Sequence, residues 1–356
     1  MGNEIVNRVF FISSFEPEEC CLGPGGRRRY SELYFQLKYS GVQADWVDAS
    51  LLGLWHSVRH GSQAGGRVIY LVFDERYLMY ALIASLWGGS VVMFPRGDKM
   101  MHDNVSGKLR RCVKRVLLTA LYKGCDAMLF QSAAQRDQFR KDYGVSQPSD
   151  VVYNNVNASW IAELGKTVAA LRHERERPAI NDVIRVGFMG GDDPRKGLSL
   201  ALEAVQELRT MDFQAELVVA GTCSNAVTWD NEEYISYLGF LRDTESFWST
   251  IDILWVPSKY DSFPNVCLEA VSTSTPFLIS ENTISREIFT DPSLCHRRAK
   301  AFATQTVAML YGPEKEKVRV QLDSLKEDYT FDWAMEVMES MTALLEEEPE
   351  VGIAQS

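Results

Sequence analysis

The sequence predicts an α/β protein made of two doubly wound domains, each with a parallel sheet. Apolar runs of strand length alternate with helical patterns along the chain, and this alternation is typical of parallel sheets connected by helices. The runs are continuous in Val, Ile, Leu and Phe, as expected for strands covered on both faces. A length of 356 residues is too long for one core and suits two domains of ordinary size.

The predicted strands fall into two groups. In the first half they are Arg8–Ser13, Val68–Phe73, Ser90–Phe94, Ala127–Gln131 and Val151–Tyr153. In the second half they are Ile184–Met189, Glu216–Ala220, Ile253–Val256 and Phe277–Ser280. A charged segment with a Pro, at 173–182, separates the groups and indicates an interdomain linker. Because ligands of such sheets bind beyond the carboxyl ends of the strands, we expect functional residues to face a deep cleft between the domains.

Composition disfavours several classes of protein. The net charge of −11 argues against nucleic-acid binding. Seven Cys without a C-x-x-C pair indicate reduced thiols rather than a disulfide framework or a structural zinc site. The sequence has no apolar run of about eighteen residues and no basic signal region at its N-terminus. We therefore expect a cytoplasmic protein.

The most informative segment links the strand Ile253–Val256 to a predicted helix. Ser262 is the expected N-cap, and Pro264 suits the first helical turn, where its missing N–H has no partner. The backbone N–H groups of Asn265 and Val266 would then lie at the positive end of the helix dipole, which favours a phosphate.

Two carboxylates bracket this turn. Asp261 precedes the helix, and Glu269 lies on its second turn, so both are predicted to face the same cleft. Carboxylates accept hydrogen bonds from hydroxyl groups, while the helix N-terminus suits phosphate. The combination points to a nucleotide sugar as the ligand.

Two other strand-to-helix loops carry groups that suit an anion. The first contains Gly25 and Gly26 followed by three Arg residues, and it is either a phosphate-binding loop or a plain flexible turn. A dinucleotide fingerprint would need Gly at the position of Arg28, which argues against a nicotinamide cofactor. In the second loop, at 190–197, Lys196 enters a helix where its ammonium group can reach a diphosphate.

These motifs occur in a recognisable order. The more specific part comprises Gly190-Gly191-x-x-Pro-Arg-Lys-Gly, Ala220-Gly221, Tyr237-Leu238-Gly239-Phe240 and the Pro-Ser-x-x-Asp-Ser-Phe-Pro-Asn-Val-x-Leu-Glu-Ala run at 257–270. A looser N-terminal part comprises Gly25-Gly26, Arg29-Tyr30, His102-Asp103, Phe130-Gln131-Ser132 and Tyr153-Asn154-Asn155-Val156. Together they cover nearly the whole chain, which resembles the retaining glycosyltransferases of family 4.

The resemblance implies the GT-B fold, with two Rossmann-like domains. Phe331-Asp332-Trp333 is similar to the short motif before the final helix, which in this fold crosses back to the first domain. The implied domains are therefore an acceptor-binding domain, 1–178 plus 331–356, and a nucleotide-sugar donor domain, 182–330.

The resemblance also implies a role for each matching residue. Glu269 would hold the ribose hydroxyls of the donor, and Asp261 would bind hydroxyls of the transferred sugar. Lys196 would bind the diphosphate, and His102 would lie near the reacting sugar, so the catalytic candidates are His102, Lys196 and Asp261. The other donor-binding candidates are Gly25, Gly26, Arg195, Gly239, Phe240, Phe263, Pro264, Asn265 and Val266.

The implied reaction moves a hexose-type sugar, with retention of configuration, from a UDP- or GDP-linked donor to a carbohydrate or lipid-linked acceptor. Such reactions belong to the biosynthesis of cell-surface polysaccharides and glycoconjugates. The sequence has no D-x-D motif, so Lys196 and the loop amides are expected to stabilise the leaving group without a metal ion or other cofactor.

Two positions depart from the family pattern. Asp261 replaces the usual Glu, which shortens its reach by a methylene group. Gly191 replaces the Arg that pairs with the Lys on the diphosphate, so Arg195 or one of Arg27 to Arg29 would have to substitute. Two alternatives stay open: a catalytically weak nucleotide-sugar-binding protein, or another GT-B enzyme such as a sugar-nucleotide epimerase.

One helical segment bears on location. Residues 108–117 carry five Lys and Arg residues around an apolar face made of Leu109, Cys112, Val113, Val116 and Leu117. The segment is interpreted either as a helix packed on the core with a solvated basic face, which we favour slightly, or as a contact with anionic lipid on the inner face of a membrane.

Overall fold

The structure is a computed structural model, and it describes residues 6–14, 16–17, 25–61, 66–95, 108–173, 183–224, 233–261, 263–281, 283 and 287–346. The chain divides into two compact units. Unit 1 comprises Met1–Tyr153 and Asp332–Ser356, and unit 2 comprises Asn154–Phe331.

Unit 1 is built on a parallel sheet. Its described strands are β1 (Val6–Ser13), β2 (Ala44–Asp48), β3 (Arg67–Val72), β4 (Ser90–Met93), β5 (Ala127–Phe130) and β6 (Ser149–Val151). Its described helices are α1 (Gly25–Tyr39), α2 (Leu51–Gly61), α3 (Leu78–Ser85), α4 (Lys108–Lys123) and α5 (Ala133–Tyr143), with a 3₁₀ turn at Glu75–Tyr77 before α3. The strand order is β2-β1-β3-β4-β5-β6.

Unit 2 has the same architecture. Its described helices are α6 (Ser159–His173), α7 (Leu198–Thr210), α8 (Glu245–Thr250), α9 (Asn265–Ser272), α10 (Ala299–Leu310) and α11 (Lys315–Asp328). Its described strands are β7 (Ile184–Met189), β8 (Ala215–Ala220), β9 (Ile235–Gly239), β10 (Ile253–Val256), β11 (Phe277–Ser280) and β12 (Leu294–Cys295). They pair in parallel in the order β12-β11-β10-β7-β8-β9.

The strand orders explain which face each helix covers. In unit 1 the step from β1 to β2 runs one way and the steps from β2 to β6 run the other way, so right-handed crossovers put α1 on one face and α2 to α5 on the opposite face. In unit 2, β7 is followed by steps in both directions in the same manner. Both sheets are therefore doubly wound, as predicted.

The final helix, α12 (Trp333–Glu346), belongs to unit 1 and packs on α1, β5 and β6. The Asp332 carboxylate accepts a hydrogen bond from the Met335 N–H (3.1 Å) and so caps its first turn. Trp333 is buried, with the Phe94 ring 6.3 Å away, and Ser340 donates to the Asp150 carboxylate (2.8 Å). The predicted return of this helix to the first unit is confirmed.

Every predicted strand overlaps an observed one, and the bounds agree for β7, β10 and β11. The sequence prediction missed β2, β9 and β12. β2 contains two Asp in five residues, and β9 is an edge strand of partly exposed residues, so neither has the continuous apolar character of a central strand. β12 is two residues long.

The division between the units lies ahead of the predicted linker. Residues 154–173, including α6, lie in unit 2, where α6 packs on α8 and α9. The domain limits 1–178 plus 331–356 and 182–330 stay predictions.

The core-packing interpretation of helix α4 is wrong for its predicted apolar face. Val113, Val116 and Leu117 are more than half exposed, whereas Leu118 and Tyr122 are the side chains that this helix buries. Helix α4 is therefore rotated about its own axis, by less than a full turn, from the orientation that we favoured from the sequence. None of the described helices is both long and apolar enough to span a bilayer.

Candidate functional site

The loops that follow β7 and β10 meet at the carboxyl edge of the unit 2 sheet. The Lys259 N–H donates to the Arg195 carbonyl oxygen (2.7 Å). A Cβ atom on Gly197, whose φ is +84°, would lie less than 3.0 Å from the Pro257 carbonyl oxygen. Only glycine combines this conformation with so close an approach, so the two loops are held in direct backbone contact.

This contact brings Lys196 to Asp261. The Lys196 Nζ lies 2.5 Å from the Asp261 Oδ2, and the two side chains are 33% and 12% exposed. The Asp261 charge raises the pKa of Lys196 above its ordinary value of 10.5, against the opposing effect of burial. The ammonium group is therefore charged at neutral pH, at the end of the loop where the sequence predicted an anion-binding lysine.

The helix that follows this loop begins later than predicted. Pro264 is the N-cap of α9, with ψ at 100° and without a side-chain hydrogen bond, so the assignment of Ser262 as N-cap is wrong. Asn265 and Val266 are the first two helical residues, and their N–H groups lie at the positive end of the dipole as predicted. The Asn154 Nδ2 donates to the Asn265 Oδ1 (2.9 Å) and fixes this side chain at the helix start.

Glu269 lies on the buried side of α9. Its side chain is 7% exposed, and its Oε2 accepts a hydrogen bond from the Trp248 Nε1–H (3.2 Å). Arg172 donates to the carbonyl oxygens of Trp248 (2.5 Å) and Thr273 (3.0 Å), so one guanidinium group links α6, the end of α8 and the end of α9. The carboxylate is thus held by a hydrogen bond and by the packing of three helices.

Cys267 is the third residue of α9. The thiol is buried, and its pKa is raised well above 9.0, first by burial and then by the charges of Asp261 and Glu269, while Lys196 lowers it. Cys267 itself stays a neutral thiol.

Gly191 cannot be exchanged for a larger residue without a change in the backbone. Its φ is +59°, and a Cβ atom at this position would lie less than 3.0 Å from the carbonyl oxygen of Thr222. The same is true of Gly221, whose Cβ would meet the Gly191 nitrogen. The loops after β7 and β8 are therefore in close contact at these two glycines, and an Arg at position 191 would require the loops to move apart.

The basic residues proposed to substitute for that Arg differ in their surroundings. The Arg195 guanidinium pairs with Asp193 (Nη2 to Oδ2, 2.6 Å), and this hydrogen bond lowers the pKa of Asp193. Arg29 is fully buried, with its guanidinium carbon 5.6 Å from the centre of the Trp333 ring, so it is not available to a ligand. Arg195, beside Lys196, is the stronger of these two candidates.

The predicted base-binding region lies at the end of β9. Gly239 has a φ of +69° and accepts a hydrogen bond from the Gly221 N–H (2.8 Å), which places it beside the loop after β8. Phe240 follows it and is 58% exposed. Phe263, in contrast, is buried against Phe289 (ring centroids 6.0 Å apart), so its side chain is part of the core.

The predicted site residues of unit 1 are only partly described. Gly25 and Gly26 are the first two residues of α1, so they begin a helix rather than lie in the preceding loop. Their N–H groups are at its positive end. His102 lies outside the described residues.

Three residues that the sequence did not assign to the site belong to its framework: Trp248, Arg172 and Asn154. Trp248 is buried, as a core residue would be, and its indole N–H also holds Glu269. Nothing in the sequence separates Trp248 from Trp255, whose indole N–H donates to Thr306 (2.9 Å). Asn154 could have been suspected, because a polar pair after an apolar strand must find hydrogen-bond partners if it is buried.

Comparison with known proteins gives a family match for part of unit 2. Residues 183–311 match the family model described as Glycosyl transferases group 1. The O-antigen biosynthesis glycosyltransferase WclY of Escherichia coli is 23% identical over 154 residues, a match that spans 40% of this chain and 40% of the length of that relative.

Solved structures share the fold over nearly the whole chain. Sucrose-phosphate synthase from Thermosynechococcus elongatus has a TM-score of 0.72 at 14% identity, covering 95% of this chain and 99% of that one. HepE of Anabaena in complex with UDP and glucose has a TM-score of 0.68 at 13% identity, covering 94% and 99%. The lipopolysaccharide outer core galactosyltransferase WaaB has a TM-score of 0.63 at 13% identity, covering 94% and 99%. The chain therefore has the GT-B fold, and its residues 183–311 match the group 1 glycosyl transferases.

Proposed function

We propose that this protein is a retaining glycosyltransferase that moves a hexose-type sugar from a UDP- or GDP-linked donor to a carbohydrate or lipid-linked acceptor. The observation that carries the proposal is the ion pair between Lys196 and Asp261 at the carboxyl edge of the unit 2 sheet. It lies just before the N-terminus of α9. Cation, carboxylate and helix terminus together match a sugar attached to a diphosphate.

Each group has a distinct role in this proposal. An ammonium group has three N–H donors, so Lys196 can keep its bond to Asp261 and still bind an oxygen of the diphosphate. Asp261 accepts hydrogen bonds from hydroxyls of the sugar. The amides of Asn265 and Val266 favour the phosphate charge, and Glu269, held by Trp248, binds the ribose.

The reaction requires stabilisation of a leaving group. The bond between the anomeric carbon and the diphosphate oxygen breaks, and its electron pair remains on the diphosphate. The acceptor oxygen bonds to the anomeric carbon from the same face, and its proton passes to the departing phosphate oxygen. Lys196 and the amides at the start of α9 lower the barrier because they oppose the negative charge that develops on the diphosphate.

The comparisons support UDP as the first nucleotide to test. Structures of HepE of Anabaena contain UDP, and a trehalose-6-phosphate protein of Escherichia coli was solved with UDP-2-fluoro glucose. The partial match to an O-antigen biosynthesis glycosyltransferase supports an acceptor from cell-surface polysaccharide synthesis, and with it a cytoplasmic protein that uses activated sugars.

The test combines binding with turnover. Titration calorimetry with UDP and GDP should show a clear preference for one, and the corresponding sugar donors should release that nucleotide when an acceptor is added. A chelator should leave the rate unchanged, because the proposal assigns leaving-group stabilisation to Lys196 and amides rather than to a metal ion. Failure of both nucleotides to bind would contradict the proposal.

A second candidate is a nucleotide-sugar-binding protein without turnover. It is favoured by the glycine contact at Gly191, which excludes an Arg from that position, and by the pairing of Arg195 with Asp193. Nucleotide binding without released product, over a panel of donors and acceptors, would identify this candidate.

A further inference from the structure

A surface groove in unit 1 combines exposed apolar side chains with basic ones. It lies between the 3₁₀ turn, α3 and α4, and has a volume of about 530 Å³. Met79 and Val113 line its apolar part together with Leu117, and Arg110 and Lys114 line its basic part.

The apolar side chains of this surface are far more exposed than those of a core. Met79 is 57% exposed, Val113 52%, Val116 63% and Leu117 60%. Isolated apolar residues are common on protein surfaces, whereas adjacent ones mark a contact with another molecule. Leu118, which also lines the groove, and Tyr122 are buried and anchor α4 to unit 1. The helix therefore lies flat on unit 1, with one apolar face that no residue described by the structure covers.

The charge of this helix is opposite to that of the protein. Its sixteen residues include six Lys or Arg and no Asp or Glu, although the net charge of the chain is −11. Glu75 and Arg76 also line the groove, and Arg76 pairs with Asp74 (2.6 Å). The cations Arg110 and Lys114 outnumber the remaining acid, Glu75, so the surface has a net positive charge and favours a negatively charged partner.

We propose that the α3–α4 surface docks on a bilayer that contains anionic phospholipids. A helix of sixteen residues is about 24 Å long, and one apolar side flanked by cations is the arrangement of a helix that lies in the membrane interface. Val113, Val116 and Leu117 enter the boundary between headgroups and acyl chains, while Arg110 and Lys114 contact phosphates. A second copy of this chain fits less well, because pairing the surface with itself would oppose cations of the same sign.

Co-sedimentation with vesicles tests the charge requirement. The wild-type protein should bind vesicles of phosphatidylcholine mixed with phosphatidylglycerol, but not phosphatidylcholine alone, and salt should weaken binding. Arg110→Glu/Lys114→Glu should raise the dissociation constant at least about tenfold. The matched control is Lys315→Glu/Lys326→Glu, because it makes the same charge change at exposed positions of α11 in unit 2 and should bind like wild type. No binding by the wild type, or equal losses in both variants, would overturn the proposal.

The apolar requirement is tested separately. Val116→Asp should weaken vesicle binding, whereas Val320→Asp should not, since Val320 is similarly exposed (55%) but lies on α11. Cys112 is an exposed thiol on α4, so anionic vesicles should slow its alkylation, read by peptide mass spectrometry, and leave Cys223 of unit 2 unaffected. Protection of Cys112 that depends on protein concentration and not on vesicles would identify a second copy instead and overturn the proposal. These assays need no sugar transfer, so their outcome is independent of the proposed function.

Discussion

Lys196 and Asp261, which are 65 residues apart in the sequence, form a hydrogen-bonded ion pair of 2.5 Å between the loops that follow β7 and β10. The backbone contact between Lys259 and Arg195 holds the two loops together. The pair is therefore a property of the sheet topology, because β7 and β10 are neighbouring strands whose carboxyl ends lie side by side.

The first prediction concerns turnover. Lys196→Ala should lower kcat by about 100-fold or more, the usual effect of removing one group that stabilises transition-state charge. Its cost to the free energy of unfolding should be about 1 kcal/mol or less, since the side chain is 33% exposed. Lys259→Ala is the control, because Lys259 is an exposed cation of the same loop. Equal losses of kcat in both variants would remove Lys196 from the site.

The second prediction concerns pH. The pKa of Lys196 is raised above 10.5 by Asp261, so its contribution to stability is complete below the unfolded-state pKa and is lost only as pH rises through the higher folded-state pKa. The difference in free energy of unfolding between wild type and Lys196→Ala should therefore be constant from pH 7 to about pH 10. Urea titrations at several pH values measure it, and a difference that disappears within this window would contradict the raised pKa.

The third prediction concerns the support of Glu269. Trp248→Phe removes the indole N–H that holds its carboxylate, and we expect donor affinity to fall about tenfold, a loss of about 1.4 kcal/mol. Trp255→Phe is the matched control, since Trp255 is also buried and donates to Thr306 rather than to a carboxylate. Both variants should lose about 1 to 3 kcal/mol of stability. Calorimetry should find weaker donor binding in Trp248→Phe alone, and unchanged affinity there would show that Glu269 does not depend on Trp248.

The sequence predicted the sheets better than it predicted the surroundings of the site. Buried strands such as β7 and β10 carry their own signal in continuous apolar residues. The edge strand β9 lacks this continuous apolar pattern, and its residues are partly or fully exposed to solvent. The segments that contain Gly25, Gly26 and Lys196 could be found from their residues alone, because each of these segments follows a strand that is recognisable in the sequence.

Contacts between distant segments could not be predicted in this way. Arg172 reaches Trp248 and Thr273 only because α6 belongs to unit 2, and no local pattern states to which unit a helix belongs. The exposure of this face of α4 was considered from the sequence but not favoured, for a related reason. Its apolar residues have helical spacing whether the partner is the core or another surface, so periodicity cannot distinguish Val113 from Leu118.

The fourth prediction concerns the departure at Gly191. If the only effect of Gly191 were the loss of an Arg side chain, Gly191→Arg would restore a phosphate-binding charge and raise activity. The structure predicts the opposite, because a side chain here meets the Thr222 carbonyl oxygen at less than 3.0 Å and must also adopt a φ of +59°. A non-glycine residue in the left-handed conformation typically costs about 1 to 3 kcal/mol. Gly191→Ala should lower the free energy of unfolding by more than this amount, because the steric contact adds to the conformational cost.

Gly239→Ala separates the two causes. Gly239 has a similar φ of +69°, but a Cβ atom there would lie more than 4 Å from every described neighbour, so this variant should show the conformational cost alone. Urea titration of both variants measures the difference, which is the steric part. Equal losses would mean that the loops after β7 and β8 can separate to admit a side chain. In that case Gly191→Arg should be tested for restored turnover, since the backbone would then be able to accept an Arg at position 191.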